Sequence, residues 1–371
     1  MNISGSMGLR MLTRGVRNRL SGKPLSISFE ITHSCTANCW HCNWGGPIKE
    51  KRLSADEYAA ICRELQPIVS HVSGGEPLAR GDVFEIVEKM AVPGRLPWMI
   101  VVTNASNLTV EKFFRLKRAG MHQLSVSLDF PDERHDEFRR IPNLFSHMGE
   151  VLPDLARRSE KDDILLNVCI TNWNYRELPG LVHRAKEWGL PINFSVYTHL
   201  RVQDRAGLVA GSEGHAELKA KIEEVIDMRN RGFPIYTSPR VLWRYFRFMT
   251  EGGIPGCQAG RRFLVINPDG RFTPCAMVMA YFDTQQDMVE NFSKRNTCDA
   301  CYISTRANTE KTAREFIEDN IPIIRKVVSP WTWRRGEALE PAPADPVVPN
   351  GEESEDERAG VPGKVAERRA S

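Results

Sequence analysis

Nine cysteines stand in a chain of 371 residues, and seven of them fall into two groups whose spacing suits metal or redox chemistry. Cys35, Cys39 and Cys42 form Cys-X3-Cys-X2-Cys. Three thiolates on one short loop can grip three corners of a four-iron cubane and leave one iron open, whereas a structural zinc or a closed cluster needs four ligands. A zinc site completed by His33 or His41, or three incidental buried thiols, is the bland alternative. Downstream lies Gly74-Gly75-Glu76-Pro77. Two glycines let a backbone edge approach a ligand closely, and a carboxylate beside them suits an ammonium group; an ordinary strand-to-helix turn would read the same way. In the second group, Cys257 and Cys275 flank Phe263–Ile266, Asn267-Pro268-Asp269-Gly270 and Arg271–Thr273, which predict a β-hairpin, and Cys298 and Cys301 sit on a Cys-X2-Cys loop. Four thiolates can then converge on one zinc or one cluster. Cys62, at helical spacing beside Ile61 and Leu65, reads as core.

Positioning these residues requires an alternation of strands and helices. Strands are predicted at Ser26–Ile31, His71–Ser73, Met99–Thr103, Gln123–Asp129, Ile164–Thr171 and Ile192–Tyr197. Helices are predicted at Ser54–Leu65, Asp82–Met90, Val110–Ala119 and Leu178–Trp188, with Gly120 and Gly189 as C-caps. Apolar Ile27, Phe29 and Ile31 alternate with Ser28, Glu30 and Thr32, and three further strands behave alike, ending in Asp129, Thr171 and Tyr197 on the polar side. Parallel strands covered on both faces should be nearly continuously apolar, so a polar face suggests a barrel with a wet or ligand-filled lumen.

Composition removes other classes. The chain is 41% hydrophobic and 26% charged with a net charge of +3, which excludes disorder of the whole and implies no broad basic surface for nucleic acid. No apolar run approaches membrane-spanning length. Residues 1–23 carry Arg10, Arg14, Arg17, Arg19 and Lys23 and no acid, which leaves no apolar secretory h-region and gives the cytoplasm as default address. An odd cysteine count without an export signal also argues against a disulfide framework. Residues 336–371 carry nine acids against four bases and few large apolar side chains, predicting a disordered acidic tail.

The three-cysteine loop after the first strand and the Gly-Gly-Glu-Pro after the second together resemble the radical S-adenosylmethionine (SAM) superfamily, over about residues 24–200. The resemblance implies an α/β fold, a partial (β/α)6 barrel, in which Cys35, Cys39 and Cys42 hold a [4Fe-4S] cluster that binds SAM. It further implies that Gly74, Gly75 and Glu76 line the methionine amino group. Where the family usually has another aromatic residue before the third cysteine, this chain has His41. On the polar strand ends, Thr103, Asn104, Ser127, Asn172 and Tyr197 match positions that contact the ribose and carboxylate. The string Cys257-Gln-Ala-Gly-Arg-Arg262 … Asn267-Pro-Asp-Gly270 … Pro274-Cys275 resembles the SPASM/Twitch extension of such enzymes. With no cysteine after Cys301, it matches the shorter Twitch form, a small α+β domain holding one auxiliary [4Fe-4S] cluster on Cys257, Cys275, Cys298 and Cys301. Four cysteines saturate a cubane, so this cluster would pass or accept electrons and leave substrate unbound.

The expected function is reductive cleavage of SAM and hydrogen-atom abstraction from an unactivated carbon of a natural-product or peptide substrate. An external electron donor such as flavodoxin or ferredoxin is implied. Only 34 residues precede Cys35, which tilts the expectation toward a non-peptide substrate or a separate peptide carrier. Cys169 is either a buried structural thiol or a hydrogen-atom donor to a substrate radical; His199 and Arg201, just past the sixth strand, are candidates for substrate contact. Leu9, Leu12, Val16 and Leu20 share one stripe of an N-terminal helix and Arg10, Arg14 and Arg17 another. This helix either docks on the barrel or rests through residues 7–20 on anionic lipid at the inner membrane face, in which case the substrate is a lipid. A non-catalytic zinc-binding protein is the reading from another class. The expected organisation is a basic amphipathic segment at 1–23, the barrel at 24–200, a helical connector at 201–256, the Twitch domain at 257–325 and the tail at 336–371.

Overall fold

The computed structural model describes residues 5–315 apart from Pro93 and Ala313, together with Glu318. The acidic tail and the end of the expected Twitch domain lie outside the described residues.

Helix α1 (Gly5–Ser21) precedes strand β1 (Ser26–Thr32), after which strands and helices alternate. The series runs α2 (Ala55–Leu65), β2 (Val69–Gly74), α3 (Val83–Met90), β3 (Trp98–Thr103), α4 (Val110–Arg118) and β4 (Gln123–Ser127). It continues with α5 (Arg134–Arg139), α6 (Leu144–Arg158), β5 (Ile164–Ile170), α7 (Leu178–Glu187), β6 (Ile192–Val196), α8 (Gly211–Asn230) and α9 (Pro239–Glu251). Local chemistry marks the boundaries. Ser54 and Glu57 form a reciprocal capping box on α2, Thr109 caps α4, and Gly120 and Gly189 follow α4 and α7 at φ of 102° and 73°. Two helices, α5 and α6, escape the sequence pattern. Pro153 and Gly149 interrupt the periodicity of α6, yet its Leu144, Met148, Leu152 and Leu155 are buried, so packing carries the helix through the proline.

Strands β1 to β6 are mutually parallel and lie in sequential order. Register confirms two unlike faces. Phe29, Val72 and Val101 align on the face covered by helices, as do Val126, Leu166 and Ile192. On the lumen face Ser127, Asn167 and Asn193 stand side by side, and Cys169 stands beside Ser195. The lumen is not uniformly polar: Val102 and Leu165 flank Ser125, and Ile100 lies next to His71. This is an α/β protein built on a partial barrel.

Among the described residues, the segment after Cys257 does not form a sheet of its own. The hairpin β7 (Phe263–Ile266) and β8 (Phe272–Thr273) is present, but β7 pairs in parallel with β1 and extends the barrel sheet to eight strands. All four β7 residues, Phe-Leu-Val-Ile, are buried, so this strand needed cover on both faces. Short helices α10 (Gln285–Asn291) and α11 (Ser304–Thr309) complete the described chain.

Helix α1 docks on the barrel, but not through the stripe of Leu9, Leu12, Val16 and Leu20. Met7 and Asn18 are buried, and Met7 and Met11 pack with Ile68, Leu96 and Trp98. Leu9, Leu12, Val16 and Leu20 face outward.

Candidate active site

The carboxyl end of β1 opens into the loop that carries Cys35, Cys39 and Cys42. Its path is set by backbone bonds. The Cys35 N–H donates to the Gly46 carbonyl at 3.0 Å and the Cys42 N–H to that of Cys39 at 3.2 Å. From α5, the carbonyls of Arg139 and Phe138 accept the Asn38 and Trp40 N–H groups at 3.2 and 3.4 Å. All three thiols are free, and Cys35 and Cys39 each lie within electrostatic reach of Cys42. Burial pushes Cys35 up and Cys39 up to about 11, so in the absence of a cation these sulfurs keep their protons. A metal must displace them, which couples loading to pH. Two donors approach the Cys35 Sγ: the Ala37 N–H at 3.4 Å and the Asn104 Nδ2 at 3.7 Å. Among the described residues no three His, Cys, Asp or Glu side chains converge on a single metal ion. A cubane asks for another arrangement, one thiolate per iron, with the sulfurs set apart.

The Gly-Gly-Glu turn at the end of β2 is bolted to this loop. A Cβ on Gly74 would run into the Thr32 carbonyl oxygen, and one on Gly75 into those of Ser34 and His33. The close approach that the glycines permit is therefore to the start of the cysteine loop, with the Gly75 N–H donating to Thr32 at 2.7 Å and Glu76 N–H to Ser34 at 2.9 Å. The Glu76 side chain is buried and already engaged. It accepts from Thr103 Oγ1 at 2.7 Å, Leu78 N–H at 2.9 Å and Asn104 N–H at 2.7 Å. Burial raises its pKa, against these three hydrogen bonds. The carboxylate thus ties β2 to β3, and Thr103 and Asn104 serve first as its partners. Asn104 in turn reaches Thr36 Oγ1 at 3.0 Å, beside Cys35.

Residues to which the sequence assigned no site role complete the surroundings. Asp129, just past β4, forms a buried ion pair with Arg139 at 2.6 Å. Burial works to raise its pKa, but Arg139, His41 and His135 bring it below the usual carboxylate range. The polar alternation of β4 pointed to Asp129; no sequence signal marked Arg139. His41 stacks on Phe138 at 5.1 Å, and burial lowers its pKa to about 4. Several buried polar atoms around the strand ends lack a protein partner: Asp129 Oδ1, His41 Nδ1, Trp44 Nε1, His135 Nε2 and an Arg201 Nη2. Such orphans are costly unless a polar ligand or water meets them.

The remaining sequence candidates divide. Ser127 and Cys169 face the lumen, and burial drives the Cys169 thiol pKa far up. The Tyr197 hydroxyl donates to the Asp204 carbonyl at 2.7 Å, and the Asn172 N–H to that of Gly207 at 2.8 Å, so both fasten the 200–207 loop. His199 accepts the Gln203 N–H on its carbonyl within that loop. Arg201 spans two regions: its Nε donates to Asn43 Oδ1 at 2.8 Å, a nitrogen of its fork to the Ala276 carbonyl at 3.2 Å, and its guanidinium covers Trp44.

The second cysteine group is assembled around that same Ala276 neighbourhood. Cys275 feels the charges of Cys257 and Cys298, and Cys301 those of Cys275 and Cys257. Burial lifts Cys275 to about 11 and Cys301 to about 12. The buried Arg306 guanidinium lies near, donating to the Cys301 carbonyl at 2.5 Å and paired with Glu310.

Residues 29–167 match the family model described as "Radical SAM superfamily". The chain is 26% identical to the AdoMet-dependent heme synthase of Methanosarcina barkeri, over 69% of this chain and 78% of that protein. It is 27% identical to the PqqA peptide cyclase of Bradyrhizobium diazoefficiens, over 68% and 67% respectively. Among solved structures, Streptococcus suis SuiB bound to S-adenosylmethionine superposes with a TM-score of 0.55 at 16% identity, covering 74% of this chain and 67% of that one. SuiB has also been solved with its precursor peptide SuiA. With the three-cysteine loop and the Gly-Gly-Glu turn both inside the matched span and locked together at the mouth of a parallel partial barrel, residues 29–167 form a radical SAM domain.

Proposed function

We propose that the enzyme cleaves SAM reductively and abstracts a hydrogen atom from an unactivated carbon of a peptide or other natural-product substrate held in the barrel lumen. The observation that carries this reading is the clamped loop, on which three free thiols within electrostatic reach of one another stand beside the Gly-Gly-Glu turn. The [4Fe-4S] cluster and SAM with which this family works supply, when bound, an electron and a 5′-deoxyadenosyl radical. In this reading Cys35, Cys39 and Cys42 hold that cluster, and Asn104 orients Cys35 through its Nδ2. The Glu76 side chain is committed to Thr103, Leu78 and Asn104, so the backbone at Gly74, Gly75 and Glu76 is what meets the methionine amino group. Ser127, Asn167, Cys169 and Asn193 line the lumen where substrate sits, with Asn193 Nδ2 donating to Asn167 Oδ1 at 2.9 Å. A peptide substrate is favoured by the names of two relatives, a peptide cyclase and SuiB with its precursor peptide.

The four thiols of Cys257, Cys275, Cys298 and Cys301 suit an auxiliary [4Fe-4S] cluster for electron transfer, in a Twitch-type module. Anaerobic reconstitution tests both sites: about eight irons per chain are expected, and about four would remove the auxiliary cluster. Incubation with SAM and dithionite should yield 5′-deoxyadenosine; none formed by the fully loaded protein would refute the radical step.

A further inference from the structure

Helix α1 holds the barrel with one face, and among the described residues none covers the opposite face. On the docked side Asn18 Nδ2 donates to the carbonyls of Pro24 and Gln66 at 2.8 and 2.9 Å, and Met7 is buried. On the other side Leu9, Leu12, Val16 and Leu20 are 54, 48, 53 and 85% exposed. At about 100° per residue these four fall within a sector of about 80°, opposite Met7, Met11 and Asn18. Scattered apolar side chains on a surface need no explanation, but a continuous stripe of four along a helix does. Arg10 and Arg17 flank one margin of the stripe and Arg19 the other, and no acidic residue occurs in 1–23.

We propose that this stripe rests on an anionic lipid bilayer, with its apolar side chains at the acyl boundary and the flanking arginines among the headgroups. Charge selects this occupant. A second copy packed on the same stripe would set arginine rows against each other. Arg10 donates to the Gly94 carbonyl, Arg19 to that of Lys311 and Arg17 to Gln66, which fixes their positions while leaving further guanidinium N–H groups for phosphate. Among the described residues no helix is long and apolar enough to cross a membrane, so the contact lies on the surface. It goes beyond the proposed chemistry and is independent of it.

The full-length, cluster-loaded protein is floated with vesicles of phosphatidylcholine alone and of phosphatidylcholine mixed with phosphatidylglycerol. Binding to the mixed vesicles should exceed that to the neutral ones about tenfold or more, and should fall as salt rises. Leu12→Gln with Val16→Gln should abolish most of it while SAM cleavage and the unfolding temperature stay as in the parent; Leu9→Gln with Leu20→Gln is the second pair. Arg17→Gln with Arg19→Gln should lower the preference for the anionic vesicles. No binding by the parent chain, or binding by both apolar pairs as strong as the parent's, overturns the proposal. So does a parent dimer in sedimentation velocity that Leu12→Gln with Val16→Gln converts to monomer, an outcome that assigns the stripe to a second copy.

Discussion

The Asp129 carboxylate and the Arg139 guanidinium form a buried ion pair, with Oδ2 at 2.6 Å from Nη2 and 2.7 Å from Nε, while the Arg139 carbonyl holds the Asn38 N–H of the cysteine loop. One residue thus anchors the loop through its backbone and places a fixed positive charge within reach of Cys35 and Cys39 through its side chain. Asp129→Asn leaves that guanidinium buried and unneutralised. The apo-protein should lose about 3–5 kcal/mol of stability in denaturant titration. A loss near zero would mean that water already serves the pair.

The glycines of the turn give a sharper contrast. Gly75→Ala must push its methyl group into the Ser34 and His33 carbonyls, which belong to backbone and cannot swing aside. Iron bound at the three-cysteine site should drop, read as iron per chain in a variant whose second cysteine group is replaced by serine. Gly81→Ala, where a Cβ meets nothing within 4 Å, should load as the parent does. Equal loading by both would show that the turn and the loop are not locked to one another.

At Glu76 every carboxylate oxygen faces a donor, Oε1 receiving Thr103 Oγ1 and Leu78 N–H and Oε2 receiving Asn104 N–H. Glu76→Gln forces an amide NH2 against at least one of them. The apo-protein should be destabilised by about 1–3 kcal/mol, and 5′-deoxyadenosine formation should fall as the β2 and β3 ends lose their tie. A Gln variant as stable as the parent would release the side chain for the ligand role that the sequence assigned to it.

How far the sequence could be read depends on the range of the forces involved. Capping and periodicity are local, so α2 and α4 and the six barrel strands were legible from Ser54, Thr109 and alternations such as Ile27-Ser28-Phe29. The cysteine spacings were legible because thiolates of one loop must share one centre. Contacts between distant segments were not. Nothing in Phe263–Ile266 says that it pairs with β1, and the outward turn of Leu9 and Leu12 follows from Asn18 finding carbonyls at Pro24 and Gln66. Likewise the glycines of the turn read as room for a ligand, whereas the backbone of Thr32 and Ser34 stands against them.

His135 sets a pH dependence that is separate from the cysteines. Its Nδ1 accepts the Asp129 N–H at 3.1 Å, and burial, reinforced by Arg139, lowers its pKa to about 3. The unfolded chain takes up this proton near pH 6.5, long before the folded one. Stability therefore falls as pH drops below 6.5, continuing to about 3, at up to about 1.4 kcal/mol per pH unit. His135→Asn, whose amide oxygen can accept the same N–H, should remove this contribution. Between pH 7 and 5 the apo-parent should lose about 2 kcal/mol more than the variant, measured by chemical denaturation. Parallel pH profiles would place the titrating group elsewhere.

Arg201 connects the two cysteine regions. Its fork donates to Asn43, next to Cys42, and to the carbonyl of Ala276, next to Cys275, and its plane covers Trp44 with the guanidinium carbon 4.8 Å from the ring centroid. Lysine carries the same charge but cannot span both acceptors while stacking on an indole. Losing two such bonds costs about 1–3 kcal/mol of local closure, equivalent to about a ten- to hundredfold rise in the open population. In the reduced apo-protein, Arg201→Lys should accelerate alkylation of Cys42 and Cys275 together by about that factor. Cys62, buried on α2 beside Ser70, should be unaffected and serves as the internal reference. Acceleration at one cysteine alone would mean that the loops open independently, and that Arg201 rests on both without coupling them.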